Sequence, residues 1–280
     1  MKLIIHGGFF SESATNQETK RAKQHALSEV AELAQQYLQD HNAVETVVYA
    51  ISLLEDNALF NAGLGSQIQS DGKVRLSASL MDGKKQCFSG VINIEDVKNP
   101  IQVAEKLLSY DDRVLSGSGA LAFARKNGFD YYDPIIPQRR TEYQEKINQQ
   151  NRLGTVGCVV LDRFGDLAAG TSTGGKGFEI PSRVSDSATV AGNFANSFAA
   201  ISCTGVGEDI VNAALAAKIV TRVTDGFKLS DACEKSFMEM KEFDGFAGVI
   251  GISKDGEIYH LDSHPNMVWA SYDDKIYVFD

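Results

Sequence analysis

Near the middle of the chain, residues 153–162 read LGTVGCVVLD. A Gly-Thr step is followed at once by an apolar run rich in β-branched residues, which predicts a buried strand led by a hydroxyl side chain. Gly154, just before it, is the residue type that best tolerates a strained backbone. Thr155 is therefore a candidate nucleophile at the start of a core strand.

The segment before this strand, residues 138–152 (QRRTEYQEKINQQNR), has almost nothing to bury and is interpreted as a loose, accessible connector. A loose connector, then Gly-Thr, then a core strand favours self-cleavage between Gly154 and Thr155. The cut would free Thr155 as a new amino terminus. A threonine with its own α-amine is a complete nucleophile–base unit.

Length and composition indicate a soluble globular protein. The 280 residues suit one large α/β domain or two small ones, and 43% hydrophobic with 23% charged residues is ordinary. The net charge of -10 disfavours nucleic acid and anionic membranes as partners. Because the apolar run at the N-terminus is too short for a signal peptide core and no run could span a bilayer, we expect a cytoplasmic protein.

The four cysteines, at positions 87, 158, 203 and 233, are widely scattered. No Cys-x-x-Cys pair occurs, so zinc and redox motifs are excluded. We expect reduced and mostly buried thiols.

Hydrophobic periodicity predicts five helices and eight strands. The helices are expected at 17–40, 43–54, 100–109, 209–223 and 229–243, and the strands at 2–6, 74–80, 87–93, 156–162, 167–171, 247–253, 257–262 and 276–279. Residues 81–83 and 163–166 are interpreted as turns. Hairpin turns such as Lys254-Asp255-Gly256 favour antiparallel pairing. We predict an α/β fold in which two mainly antiparallel sheets pack together with helices outside, a four-layer α/β/β/α sandwich.

A nucleophilic threonine needs a base, oxyanion donors and groups that hold the substrate. Residues 171–175 (TSTGG) end the next predicted strand, where hydroxyls could face Thr155. Arg183 and Asp186 could bind the carboxylate and ammonium of an α-amino acid. Residues 202–208 (SCTGVGE) form a small-residue turn before a helix, a natural oxyanion hole. Each segment alone is ordinary; their fixed order after Gly154 is what indicates a site.

This ordered set resembles the plant-type asparaginase / isoaspartyl peptidase family of N-terminal-nucleophile hydrolases. The resemblance rests on GTVG (154–157), TSTGG (171–175), RVSDS (183–187) and SCTGVGE (202–208), with HGG (6–8), FNAGLGS (60–66) and ASLMDG (78–83) in the first half. It spans almost the whole chain. It implies a single hydrolase domain over residues 1–280, matured into an α subunit (1–154, with 138–154 as its flexible tail) and a β subunit (155–280) that pair as a dimer of heterodimers.

The resemblance also implies the reaction. Thr155 would cut the chain after Gly154, then attack the side-chain amide of L-asparagine or the isopeptide bond of a β-aspartyl dipeptide. A β-aspartyl ester would form, and water would release L-aspartate. Position by position, Thr173 would tune the nucleophile, Thr204 and the Gly205 N–H would hold the oxyanion, Arg183, Asp186 and Gly207 would bind the aspartyl group, and Asn61 would lie against the nucleophile.

No cofactor is implied for catalysis. The loop from Leu54 to Leu64 resembles the family's sodium site, which is built from backbone carbonyls and leaves no side-chain signature. Its members here would be Leu54, Glu55, Asn57, Phe60, Ala62 and Leu64.

The chain departs from the family pattern at several positions. Ser185 stands where glycine is usual, Ala188 where proline is usual, and residues 190–195 (VAGNFA) replace a Gly-Ala-Gly-Tyr-Ala type run. Phe9 and Phe10 replace a small Ala-Gly pair. These changes concern the substrate range and the pocket rim more than the reaction type.

Three alternatives stay open at this point. A glycosylasparaginase would share the motifs, but such enzymes are lysosomal or secreted. The Gly-rich runs at 116–120 and 174–177 could cradle phosphates, although neither completes a nucleotide-binding motif. The chain could also be an uncleaved, inactive homologue that acts as a binding module; the intact Thr155 and Thr173 argue against this.

Overall fold

The computed structural model describes residues 1–9, 17–145, 154–264 and 266–280 and shows a mixed α/β fold. The helices within these ranges are α1 (Gln17–Leu38), α2 (Ala43–Glu55), α3 (Pro100–Leu107), α4 (Gly117–Lys126), α5 (Pro137–Gln144), α6 (Gly207–Ala213), α7 (Leu215–Thr224) and α8 (Leu229–Met240). The strands are β1 (Lys2–Phe9), β2 (Leu76–Asp82), β3 (Cys87–Ile94), β4 (Val114–Ser116), β5 (Val156–Leu161), β6 (Leu167–Thr173), β7 (Asn193–Ala195), β8 (Ala199–Gly205), β9 (Ala247–Ser253), β10 (Ile258–Asp262), β11 (Met267–Asp273) and β12 (Lys275–Val278). No helix in these ranges has the length and apolar character needed to cross a membrane.

The described strands form two sheets. One has eight strands in the order β12-β11-β1-β5-β6-β2-β3-β4, and the other has four in the order β10-β9-β8-β7. Within the described residues, every strand pairing is antiparallel except that of β3 with β4. The predicted antiparallel tendency and the β5–β6 hairpin are therefore confirmed, and β5, which Thr155 precedes, is a central strand between β1 and β6.

Successive side chains of a strand point to opposite faces of the sheet. In the central strands both sets of side chains are buried. In β1, Leu3 and Ile5 join a core cluster shared with helices α1 to α3, whereas Ile4 joins a second cluster with Val159 of β5 and Ile250 of β9. A third cluster covers the smaller sheet with side chains from α6, α7 and α8. The strand that leads from Thr155 is thus anchored on both sides.

Helix α2 shows how local sequence places an element over the site. Asn42 accepts a hydrogen bond from the Glu45 N–H, and the Glu45 side chain accepts one from the Asn42 N–H, which is a capping box. Asp162, after β5, accepts a bond from the Ala43 N–H at 3.0 Å. The helix is thereby tied to the end of the strand that Thr155 leads.

The predicted helix at 209–223 is two helices. Ala214 lies between α6 and α7 with φ +48, a left-handed conformation. At the break, the first N–H groups of α7 bind the loop before β7. Ala216 N donates to the Ala191 carbonyl at 3.0 Å, and Ala217 N donates to the Val190 carbonyl at 3.2 Å. Long-range backbone contacts decide this break, and periodicity does not record them.

The prediction of a loose connector over 138–152 is wrong for its first half, because α5 forms there. Pro137 begins the helix, where a missing N–H costs nothing. Arg139 pairs with Glu142 at 2.7 Å, and Tyr143 stacks on Phe178 at 5.1 Å between ring centroids. Residues 146–152, the remainder of the connector, lie outside the described residues.

Other differences are smaller. Met81 and Asp82, predicted as a turn, end strand β2, and residues 202–205, predicted as a turn, end strand β8. The sequence patterns also did not reveal β4, β7, β11 or α4.

Candidate active site

Thr155 lies at the start of β5 and is 8% exposed. Its Oγ1 donates a hydrogen bond to Thr173 Oγ1, at the end of β6, at 3.2 Å. Val156 pairs with Ser172 across the two strands, so the sheet register holds the two threonines side by side. The predicted proximity of these hydroxyls is confirmed.

The carbonyl oxygen of Gly154 accepts two side-chain hydrogen bonds. Asn61 Nδ2 donates at 2.8 Å and Thr173 Oγ1 at 3.3 Å. Thr173 Oγ1 also accepts from the Gly175 N–H at 3.1 Å, so its donor and both acceptor positions are used. Two fixed donors therefore polarise the carbonyl that precedes Thr155.

Asn61 is itself held in place. Its Oδ1 accepts from the Gln67 N–H at 2.9 Å, and its backbone carbonyl accepts from the Gly174 N–H at 2.9 Å. Because the amide oxygen is fixed by a backbone donor, the amide nitrogen must face Gly154. The prediction that Asn61 lies against the nucleophile agrees with this geometry.

The end of β1 lies directly against the Thr155 nitrogen. Gly8 has φ +82, and a Cβ there would lie 2.8 Å from both Thr155 N and Gly154 Cα. Any side chain at this position would collide with the backbone at the Gly-Thr step. Gly8 belongs to the HGG motif (6–8), and this close contact is a physical reason for a glycine there.

A buried network of three polar side chains lies behind β5, and the sequence patterns predict no role for it. His6 Nε2 lies 3.0 Å from Ser202 Oγ, which lies 2.7 Å from Thr171 Oγ1. Burial lowers the pKa of His6 to about 3, so its imidazole is neutral. A Cβ at Gly157 would lie 2.1 Å from Ser202 Oγ, so β5 and β8 touch at this point. Thr155 lies two residues before Gly157, and Thr204 lies two residues after Ser202, so this contact is close to both threonines.

Arg183, Asp186 and Gly207 surround one small space. A Cβ on Gly207 would lie 2.9 Å from Arg183 Nη2 and 2.8 Å from Asp186 Oδ1. The glycine therefore leaves open the gap between a cation and a carboxylate. The structure brings together the three residues predicted to bind substrate.

Asp186 is 3% exposed, and its Oδ2 has no hydrogen-bond partner among the described residues. Burial raises the pKa of this carboxyl group to about 7, although the nearby Arg183 opposes the shift. A buried polar atom without a partner is unfavourable unless a ligand or water completes it. The other oxygen, Oδ1, lies beside the gap at Gly207, where the carboxylate can bind the ammonium of a ligand.

Thr204, at the end of β8, carries a second unpartnered group. It is 1% exposed, and its Oγ1 has no partner within the described ranges. Gly205 follows with φ +137, a backbone conformation open chiefly to glycine, and α6 begins at Gly207. The hydroxyl is free to donate to a ligand oxygen.

The loop predicted to bind sodium contains a further unpartnered oxygen. Glu55 is fully buried; its Oε1 accepts from Ser172 Oγ at 2.6 Å and Ile101 N at 3.2 Å, whereas Oε2 has no partner among the described residues. Burial raises the pKa of Glu55 to about 8. An open oxygen beside a loop of carbonyls fits a hard cation. No group of three or more His, Cys, Asp or Glu side chains that could hold a metal occurs in the described part of the chain.

The departures from the family pattern are accommodated locally. Ser185 has φ -94, which needs no glycine, and its Oγ accepts from the Ser187 N–H at 3.3 Å to cap a single 3-10 turn, Asp186–Ala188. Phe9 is buried and packs edge-on against Phe246 at 4.8 Å. Phe10 lies outside the described residues.

Neither Gly-rich run resembles a phosphate cradle. A Cβ at Gly117 or Gly119 would meet nothing within 4 Å, so those glycines serve no close approach. In the other run, a Cβ at Gly175 would lie 2.0 Å from Glu179 Oε1. A carboxylate in that position would repel a phosphate, and the nucleotide-binding alternative loses its support.

Comparison with known proteins gives one family. A family model described as asparaginase matches residues 1–278. An isoaspartyl peptidase/L-asparaginase of Synechocystis sp. is 46% identical over 275 residues, covering 92% of this chain and 83% of the relative. A plant-type L-asparaginase of Pyrococcus abyssi is 34% identical, with 96% and 95% covered, and an isoaspartyl peptidase of Escherichia coli is 33% identical, with 91% and 88% covered.

Proposed function

Because the chain belongs to the asparaginase family, we propose that it is a self-processing hydrolase of β-aspartyl dipeptides and of the side-chain amide of L-asparagine. The observation that carries the proposal is the Gly154 carbonyl, which accepts from Asn61 and Thr173 beside the Thr155 hydroxyl. The names of the relatives support both substrates.

Self-cleavage uses the Gly154–Thr155 peptide bond. Thr155 Oγ1 attacks the Gly154 carbonyl carbon, and Asn61 Nδ2 and Thr173 Oγ1 stabilise the charge that develops on the carbonyl oxygen. The C–N bond breaks, an ester joins Gly154 to Thr155 Oγ1, and the departing amine takes up the proton that the Thr155 hydroxyl gives up. Water then hydrolyses the ester and leaves Thr155 as an amino terminus.

Hydrolysis of substrate repeats the attack on a different carbonyl. The freed α-amine, with a pKa of about 7.7–8.0 when unperturbed, accepts the Thr155 hydroxyl proton. Thr155 Oγ1 attacks the β-carbonyl, whose oxygen binds the Thr204 hydroxyl and the Gly205 N–H. Ammonia or an amino acid leaves with a proton, and water cleaves the β-aspartyl ester to aspartate. Arg183 and Asp186 hold the α-carboxylate and α-ammonium over Gly207.

The remaining features of the proposal concern the whole molecule. Three core clusters, two under helices and one containing side chains of both sheets, support a four-layer α/β/β/α sandwich. The chain would mature into subunits 1–154 and 155–280 of one domain, pair as a dimer of heterodimers, and act in the cytoplasm. The loop from Leu54 to Leu64 would bind a structural sodium ion, and catalysis would use no cofactor.

The intact mass of the purified protein after incubation at mildly alkaline pH tests self-cleavage. We expect two chains that separate between Gly154 and Thr155. A single uncut chain after long incubation would contradict the proposal and favour an uncleaved binding module.

Thr204→Val tests the proposed oxyanion donor. Valine keeps the shape but removes the hydroxyl, so kcat on L-asparagine should fall about 100- to 1000-fold. The melting temperature should stay equal or rise, because the lost hydroxyl has no partner among the described residues. Steady-state kinetics and thermal unfolding measure both. A kcat within a few-fold of the wild type would remove Thr204 from the reaction.

Ligand binding should depend on the ionisation of Asp186. Since its pKa is about 7, a ligand with an ammonium group but no carboxylate, 3-aminopropanamide, should bind about tenfold more weakly at pH 6 than at pH 8. Inhibition constants at both pH values measure this. In Asp186→Asn the dependence should disappear; if it persists, another group causes it. Because burial raises the pKa of Asp186, protonation of this carboxyl group also contributes to the free energy of unfolding. This contribution is fully present below pH 4 and is lost as the pH rises through 7.

A further inference from the structure

Two carboxylates surround the guanidinium of Arg183. Its Nε and Nη2 donate to Glu208 Oε1 and Oε2, both at 2.8 Å, and its Nη1 donates to Glu179 Oε2 at 3.0 Å. A guanidinium has five N–H groups, of which these contacts use three. The two that remain are one on Nη1 and one on Nη2.

Glu179 is a rigid member of this arrangement. Its side chain is 2% exposed, Oε1 accepts from Gln69 Nε2 at 3.0 Å, and Oε2 also accepts from the Lys176 N–H at 3.2 Å. A buried carboxylate held by several donors keeps one position. It fixes the Nη1 end of the guanidinium.

Glu208 is the more exposed member. Its side chain is 50% exposed, it follows Gly207 in the first turn of α6, and Lys176 Nζ lies 3.2 Å from Oε1. The hydrogen bonds from Arg183 lower the pKa of Glu208 to about 2, so it stays ionised near neutral pH. Its paired bonds take the whole Nε–Nη2 edge.

The position of Gly207 shows which nitrogen faces the pocket. The Cβ that Gly207 lacks would lie 2.9 Å from Arg183 Nη2, on the side that also holds Asp186 Oδ1. With the Nε–Nη2 edge taken by Glu208, the open N–H of Nη2 is left for a ligand in this space. A carboxylate binds a guanidinium best through two parallel N–H bonds, which requires a fixed orientation.

We propose that Glu179 and Glu208 are positioning residues that clamp Arg183, so that one N–H of Nη1 and one of Nη2 face the substrate α-carboxylate. The assignment rests on the proposed function, in which Arg183 binds that carboxylate. The clamp lowers the conformational entropy lost on binding, because the guanidinium is already oriented. It also compensates the charge of a largely buried arginine.

Glu208→Gln tests the clamp, because the partly exposed side chain can change without disturbing the core. The amide presents an N–H to Nη2 in place of an acceptor, so the guanidinium loses its orientation. We expect succinamic acid, which has the substrate's carboxylate and amide but no ammonium, to bind about tenfold more weakly than to the wild type. Binding of 3-aminopropanamide, which lacks the carboxylate, should not change. Dissociation constants come from ligand-detected NMR titration.

Glu239→Gln is the matched control. Glu239 pairs with Arg222 at 2.5 Å and Lys218 at 3.2 Å, and its side chain is 43% exposed, so it repeats the charges of Glu208 away from the site. Neither ligand should respond to this change.

In steady state, Glu208→Gln should raise KM for L-asparagine about tenfold and leave kcat within about twofold.

Equal weakening of both ligands, or unchanged or tighter binding of succinamic acid, would overturn the clamp; tighter binding would mean that Glu208 competes with the substrate. These dissociation constants need no turnover. A wild type that binds succinamic acid but hydrolyses nothing would contradict the proposed function and leave the test of the clamp intact.

Discussion

Thr155→Ala should abolish both self-cleavage and hydrolysis, since one hydroxyl group is proposed to perform both attacks. The purified variant should remain a single chain, and kcat/KM on L-asparagine should fall by at least about 10,000-fold. Intact mass and ammonia release measure the two effects. The change removes a side chain that is only 8% exposed, but it leaves Thr173 with the Gly154 and Gly175 contacts, so the fold should persist.

Thr155→Ser is the control for this change, because it keeps the hydroxyl and loses only a methyl group. It should still cleave itself, although more slowly. A Thr155→Ala protein that is cut after Gly154 and active would overturn the assignment of the nucleophile. Cleavage without activity would separate the two reactions and place another group in the first.

Arg183→Ala should leave self-cleavage largely intact and lower kcat/KM on β-aspartyl dipeptides about 100- to 1000-fold. The intramolecular step involves no free carboxylate, whereas each proposed substrate carries one that the guanidinium would bind. Intact mass and steady-state kinetics test the two halves of this prediction separately. Unchanged kinetics would remove Arg183 from the substrate site.

Arg183→Ala also removes one of the donors that hold the buried Glu179, so it needs a control for the loss of stability alone. Arg222→Ala removes a similar arginine, which donates to Ser236 Oγ at 2.6 Å and pairs with Glu239. It should lower the melting temperature and leave kinetics unchanged. If Arg183→Ala loses activity only in proportion to its unfolded fraction at the assay temperature, its role is structural.

Local patterns were sufficient where local forces decide the structure. Alternation predicts β1, helical spacing predicts α1, and a turn between two apolar runs predicts the β5–β6 hairpin. The patterns fail where distant contacts decide. The break at Ala214 depends on carbonyls at Val190 and Ala191, and helix α5 depends partly on Phe178.

The site divides in the same way. Thr155, Thr173 and Thr204 could be found because each stands in a short run with its own chemistry. Glu208 belongs to the quoted SCTGVGE run but received no role, and Glu179 has no signature at all. His6 and Ser202 are 196 positions apart, and only the packing of β1 and β5 against β8 reveals their contact.

The order of strands in the larger sheet has a consequence for the matured protein. β1 to β4 come from residues before Gly154, and β5, β6, β11 and β12 come from residues after it, so three of the seven pairs of neighbouring strands join one part to the other. After cleavage, each product would keep only fragments of that sheet. Folding of the intact chain is unimolecular, whereas reassembly of the two products from denaturant would be second order in concentration. The processed enzyme would therefore be kinetically stable: it would persist because it unfolds slowly, and not because the unfolded products refold readily.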